Sequence, residues 1–225
     1  MPKFIPEVKG PLRGSMLQKV PKEIYECSGI SIFGKRIKSI LFSTDVALIR
    51  NTNADAVIAV YPFTPQPIIT RAIMLAADVP VLCGVGGGLT GGKRSVVLGM
   101  EAEQQGANGV VLNAPTPNET IKDLTMHLDI PVVVTVVDKN TDYEARIKAG
   151  TAIFNVAAAG ATAEIVADIR RKYPEFPIIA TGGPNADSIN ATVAAGANAI
   201  TWTPPTSAKV FAEIMDIYRK GHPHP

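Results

Sequence analysis

One tryptophan, five tyrosines and seven phenylalanines in 225 residues are little aromatic material, so the core of this chain has to be aliphatic. The two cysteines, Cys27 and Cys83, show no metal-type spacing and no disulfide framework, which points to a reducing compartment. There are three histidines: His127 falls in a helical stretch, and His222 and His224 fall in the tail. Ser-His-Asp chemistry and histidine-based metal sites are therefore not expected. No apolar run reaches the ~18 residues of a membrane span, and Met1 to Gly10 has no apolar core of a signal peptide. The 22 basic and 20 acidic residues are scattered and leave a net charge of +2 without a basic stripe, which excludes nucleic acid and membrane as expected partners. The expectation is a soluble, cytoplasmic protein of small-molecule chemistry.

Glycine (19), proline (18) and short aliphatic runs are plentiful. One kind of run follows a proline: VLCGV after Pro80, VVVTVV after Pro131 and IIATGG after Pro177. The other follows small residues: AVIAVY after Asp55, VVLNAP after Gly109, AIFNVA after Thr151 and AITWTP after Asn198. The two kinds alternate, and with SILFST at Ser39–Thr44 they make eight strand-length runs. Between them, Arg94–Gln105, Asn118–Leu128, Thr141–Ala149, Ala161–Tyr173, Ala186–Ala195 and Ser207–Lys220 carry helical spacing, and Gly106, Gly150, Gly196 and Gly221 stand at C-cap positions. Near-continuous apolar strands alternating with helices predict a single α/β domain, a (β/α)₈ TIM barrel over residues 37–221. An open doubly wound sheet is the alternative. Residues 1–36 form an N-terminal extension expected to close the barrel bottom or reach a neighbouring subunit in a homo-oligomer, and 222–225 form a tail.

A parallel barrel places its site at the C-terminal strand ends. ATGGPN follows the seventh run and opens a helix, and the eighth run leads through TWTPPT to Thr206. Thr181, Gly182, Gly183 and Thr206 are therefore candidate phosphate ligands, against the alternative of an ordinary tight turn and an N-cap. The eight units, with Thr181-Gly182-Gly183, resemble the ribulose-phosphate-binding barrel superfamily, and this turn is similar to that of keto-deoxy-phosphogluconate aldolases. The resemblance implies a small phosphorylated metabolite as partner. Two positions depart from it: Thr203-Pro204-Pro205-Thr206 replaces a Gly-Ser step, and Asn155-Val156-Ala157 stands where such aldolases carry a Schiff-base lysine.

GGGLTGGKRS, Gly86 to Ser95, matches most of a P-loop but has Arg94 where Ser or Thr would bind magnesium. A lid or an anion nest using Gly87 and Gly88 is the competing reading, and no cofactor is expected. Asp138-Lys139 ends the fifth run. Lys139 is a candidate Schiff-base nucleophile or electrostatic partner, with Asp138, Asp45 and Tyr61 as proton-transfer candidates. The alternatives are a solvated Lys139 and helix caps at Asp138 and Asp45. Asn113 and Asn155 are expected to orient ligand hydroxyls. Asp45 and Asp138 alone are too sparse for a metal site, and none is expected. The function expected is a lyase or isomerase acting beside a carbonyl, with a non-catalytic sugar-phosphate-binding barrel or a metal-assisted hydrolase as alternatives.

Overall fold

The computed structural model describes residues 4–8, 10 and 17–223; residues 1–3, 9 and 11–16 of the expected extension, and 224–225 of the expected tail, lie outside the described residues. A 3₁₀ helix at Lys22–Glu26 leads into an antiparallel hairpin of β1 (Ile30–Ile32) and β2 (Lys35–Ile37). Eight parallel strands follow: β3 (Ser39–Phe42), β4 (Ala56–Ala59), β5 (Val81–Gly86), β6 (Gly109–Leu112), β7 (Val132–Val136), β8 (Ile153–Val156), β9 (Ile178–Thr181) and β10 (Ala199–Trp202). They close into a barrel, and β10 pairs with β3 through Ile200↔Ser39, Thr201↔Ile40 and Trp202↔Leu41. The fold is a (β/α)₈ barrel, and no open edge is left between its first and last strands.

Alternation along each strand divides the apolar residues into two buried clusters. Ile40, Ile58, Leu82, Val111, Val133, Ile153, Ile179 and Ala199 fill the lumen, joined at its floor by Ile30, Ile32 and Ile37 of the hairpin. Leu41, Val57, Cys83, Val110, Val134, Phe154, Ala180 and Ile200 pack outward under the helices. Covering both faces is what requires the unbroken apolar runs, and each fully buried Leu, Ile or Val contributes about 1.5–3 kcal/mol.

The helices are α1 (Val46–Arg50), α2 (Pro67–Ala76), α3 (Lys93–Gln104), α4 (Asn118–His127), α5 (Tyr143–Lys148), α6 (Thr162–Lys172), α7 (Ala186–Ala194) and α8 (Ser207–Arg219). Asp45 caps α1, its carboxylate accepting from Ala47 N–H at 2.9 Å and Leu48 N–H at 3.3 Å. The helix expected from Thr141 starts later, and its cap is Asp142, which accepts from Ala145 N–H at 3.0 Å. Asp138 is held in a turn of its own, with its carboxylate accepting from Asn140 N–H at 2.7 Å and its carbonyl from Thr141 N–H at 3.2 Å. That turn delays the helix by two residues.

Candidate functional site

The parity that puts Val133, Ile153 and Ala199 in the lumen puts Thr135, Asn155 and Thr201 one layer higher, at the C-terminal mouth. Just past β4 and on β5 the same parity gives Val60 and Gly84, and β6 leads at once into Asn113. The top of the lumen is thus apolar and glycine-lined on one side and hydroxyl- and amide-lined on the other.

A cavity of about 260 Å³ opens on the β4–β6 side, between the loop Tyr61–Pro65, the turn Gly86–Thr90 and Asn113. Its shape follows from local sequence. Gly87 has φ +111°, and a Cβ there would lie 2.3 Å from the Asn113 Cβ, so only glycine lets the turn lie against the end of β6. Asn113 N–H donates to the Gly86 carbonyl at 3.0 Å, and Gly87 N–H donates to the Thr90 carbonyl at 2.8 Å. The Thr90 hydroxyl donates to that of Thr64 at 3.4 Å, and the buried Ser95 hydroxyl donates to the Thr90 carbonyl at 3.4 Å. Leu89 stands fully exposed at the tip.

The segment is therefore a hairpin turn pinned at both ends. The Gly87 amide proposed for an anion is already bonded to Thr90. Tyr61 lines the cavity, and its hydroxyl accepts from Gln66 N–H at 2.9 Å, at the start of α2. Arg146 fixes the loop after Asn113 from behind, donating to the Thr116 carbonyl, to the Ala114 carbonyl at 2.9 Å and to the Asn118 side chain at 3.0 Å.

On the β9–β10 side the expected phosphate turn is tied into the fold. Gly182 N–H donates to the Thr201 carbonyl at 3.2 Å, and a Cβ on Gly182 would lie 2.7 Å from Ile200 Cγ2. Gly183 has φ +76° with the Ser188 hydroxyl 2.6 Å from an added Cβ, so replacing this residue strains the backbone before it tests a ligand. Thr181 shares a hydroxyl contact with Thr162 at 3.4 Å, and Thr206 caps α8, accepting from Lys209 N–H at 3.2 Å. The Ser207 hydroxyl donates to the Asp45 carboxylate. That bond, with a lesser contribution from each of the two backbone N–H groups, holds Asp45 below the usual carboxylate range against the opposing effect of burial. An ionised carboxylate thus already sits at the first residue of α8, where a phosphate was expected.

Lys139 does not join Tyr61 or Asn155. It is exposed and lines a groove of about 530 Å³ on the barrel flank with Asn140, Glu164, Ile165, Asp168 and Arg171. Asp138 is exposed in its turn. The proton-transfer constellation of Lys139, Asp138, Asp45 and Tyr61 is therefore not assembled, because the β7 loop turns outward and Asp45 is bound by two helices. Burial pushes the Cys83 thiol up to about 12 and the Cys27 thiol up to about 11, so neither is a nucleophile at neutral pH. Among the described residues no group of three His, Cys, Asp or Glu side chains is placed to hold a metal ion, and no helix is long and apolar enough to cross a membrane.

Thr64 and Thr201 stand among the strand ends where sequence places the site, without a role of their own; Thr135 and Thr90 are not singled out by sequence. The available signal was Thr135 itself, the one polar residue inside VVVTVV.

No protein-family profile matches this chain, and no curated protein does. Solved structures do. A putative phosphonomutase from Burkholderia cenocepacia J2315 superposes with a TM-score of 0.64 at 12% identity, over 88% of this chain and 98% of that one. A 2,3-dimethylmalate lyase of the PEP mutase/isocitrate lyase superfamily gives 0.61 at 14% identity, over 82% and 83%. An aldolase, QR15, gives 0.57 at 18% identity, over 81% and 95%. These three are described as a mutase, a lyase and an aldolase, and at such identity the likeness is one of fold. The narrower resemblance to ribulose-phosphate-binding barrels still rests on Thr181 to Gly183.

Proposed function

We propose that this chain binds a small, uncharged polar metabolite in the cavity between Tyr61–Pro65 and Gly86–Thr90, as a binding barrel and not as an acid–base enzyme. One observation carries this reading. The cavity offers hydroxyls, the Asn113 amide, two aromatic rings and glycine backbone, and its lining includes no carboxylate, ammonium, guanidinium or imidazole. General acid–base catalysis requires a positioned group that exchanges a proton near neutral pH, and a charged ligand would lie there without a counter-charge. Phe63 and Leu89, both largely exposed, flank the entrance and would be covered by an occupant.

A second reading is a lyase or isomerase of a phosphorylated substrate, favoured by the mutase, lyase and aldolase that share this fold. Its phosphate would use the Gly183 amide, for which no partner is found among the described residues, and would face the Asp45 carboxylate. Incubation with a pooled metabolite extract, ultrafiltration and mass spectrometry distinguish the two. A neutral compound retained by the wild type and Lys139→Ala but released by Asn113→Ala supports the first. A retained phosphate ester, or a metabolite consumed by the protein, supports the second.

A further inference from the structure

Five buried side-chain polar atoms are left without a hydrogen-bond partner among the described residues, and two of them, Asn155 Oδ1 and Thr201 Oγ1, belong to the same luminal layer. Both residues are more than nine-tenths buried, at 8% and 7% exposure. The Asn155 amide donates to the Thr135 hydroxyl at 3.3 Å, which satisfies one end of the amide only. The result does not depend on how the amide is turned, because whichever end meets Thr135 the other end is left over. Buried polar groups in folded proteins are almost always paired, so two orphans in one layer at the open end of a barrel call for a missing partner.

The chemistry of that partner follows from the pair. Thr201 presents a hydroxyl that donates or accepts, and Asn155 presents an acceptor, or a donor if turned. Alcoholic hydroxyls, each donor and acceptor, match either residue in either orientation. A carboxylate or phosphate only accepts, and none of the three side chains brings a charge to balance it. By the same parity Phe42 on β3 and Thr181 on β9 share this layer, and Val137 holds the next luminal position after β7; Phe42 and Val137 are 39% and 50% exposed, so the layer is partly open.

From this geometry we infer that Thr135, Asn155 and Thr201 form a subsite on the β7–β10 side of the mouth that takes a hydroxyl of an uncharged polyol. The inference rests on the mouth being the ligand site and names the class of ligand it admits. A buried polar pair without partners costs the fold free energy and is satisfied by a ligand hydroxyl, so binding and stability respond with opposite signs when it is removed.

The test uses Thr201→Val, which keeps the shape and removes the hydroxyl, with xylitol, sorbitol and myo-inositol as neutral probes and xylonate as the acidic one. The expected result has three parts. The variant melts at a higher temperature than the wild type. At least one neutral probe shifts the Asn155 side-chain amide signals in the NMR spectrum and binds Thr201→Val about tenfold more weakly, the loss expected for one hydrogen bond unmade. Xylonate binds the wild type about tenfold more weakly than that probe. A variant that melts lower shows that the hydroxyl holds the fold and overturns the inference, as does xylonate binding as tightly as the neutral probes. Neutral probes that shift Asn113 but leave Asn155 unmoved overturn the subsite and leave the proposed function standing. Probes that shift neither overturn both.

Discussion

The Ser207 hydroxyl donates to the Asp45 carboxylate, so the first turn of α8 and the first turn of α1 are joined across the seam where β10 closes on β3. One carboxylate caps one helix and anchors another. It is also why the N-terminus of α8, the place for a phosphate in the sequence reading, already faces a negative charge.

Asp45→Ala should cost about 1 kcal/mol of stability, as the loss of an N-cap does. The folded protein holds the Asp45 carboxyl below its usual range, chiefly through Ser207. The stabilising effect is therefore present above the ordinary carboxylate range and is lost as pH falls through the lowered value. Urea unfolding of wild type and variant should show a gap at neutral pH that closes on acidification. A gap that widens in acid would contradict the assignment.

Gly183→Ala should destabilise by about 1–2 kcal/mol, because φ there is +76° and the new Cβ meets the Ser188 hydroxyl at 2.6 Å. Adding Ser188→Ala should recover only part of this, because the residue 188 Cβ would remain 2.8 Å away and α7 would lose the capping-box hydroxyl of Ser188. Thermal unfolding of the two variants measures both. A fully stable Gly183→Ala would show that the turn relaxes freely.

Gly87→Ala should lift the Gly86–Thr90 turn off the end of β6, since its Cβ would fall 2.3 Å from that of Asn113. Hydrogen exchange at the Gly87 and Asn113 amides, now bonded to Thr90 and Gly86, should rise while the amides of β7 and β8 keep their protection. Uniform protection would mean that the loop adapts without opening.

The fold was legible in the sequence because alternating Pro-led and Gly-led runs mark strand starts, and a strand covered on both faces has no choice but to be apolar. The site was less so. Parity is visible in VVVTVV, but which parity faces the lumen is decided only when the barrel closes, and that kept Thr135 out of view and left Thr201 without a role. Asp45 and Ser207 are 162 residues apart, and no local pattern announces their bond. Of the two readings of Lys139, the exposed one matches its place in the structure for a local reason: Asp138 accepts from the Asn140 amide, and the turn sets Lys139 beside Glu164 and Asp168.

Lys139→Ala should leave stability within about 0.5 kcal/mol and ligand retention unchanged, as expected of an exposed side chain away from the cavity. Borohydride treatment with a keto-acid and ketose-phosphate panel should leave Lys139 unlabelled. A covalent adduct there, read by peptide mass spectrometry, would restore the Schiff-base reading.

The central claim is that the neutral cavity beside Asn113 is where ligand binds. Crystals soaked in a mixture of uncharged polyols and sugar phosphates test it most directly. The account predicts electron density for a neutral molecule between Tyr61, Gly87 and Asn113, reaching toward Asn155. Density for a phosphate group on Gly183 and the first turn of α8, with the cavity empty, would contradict it.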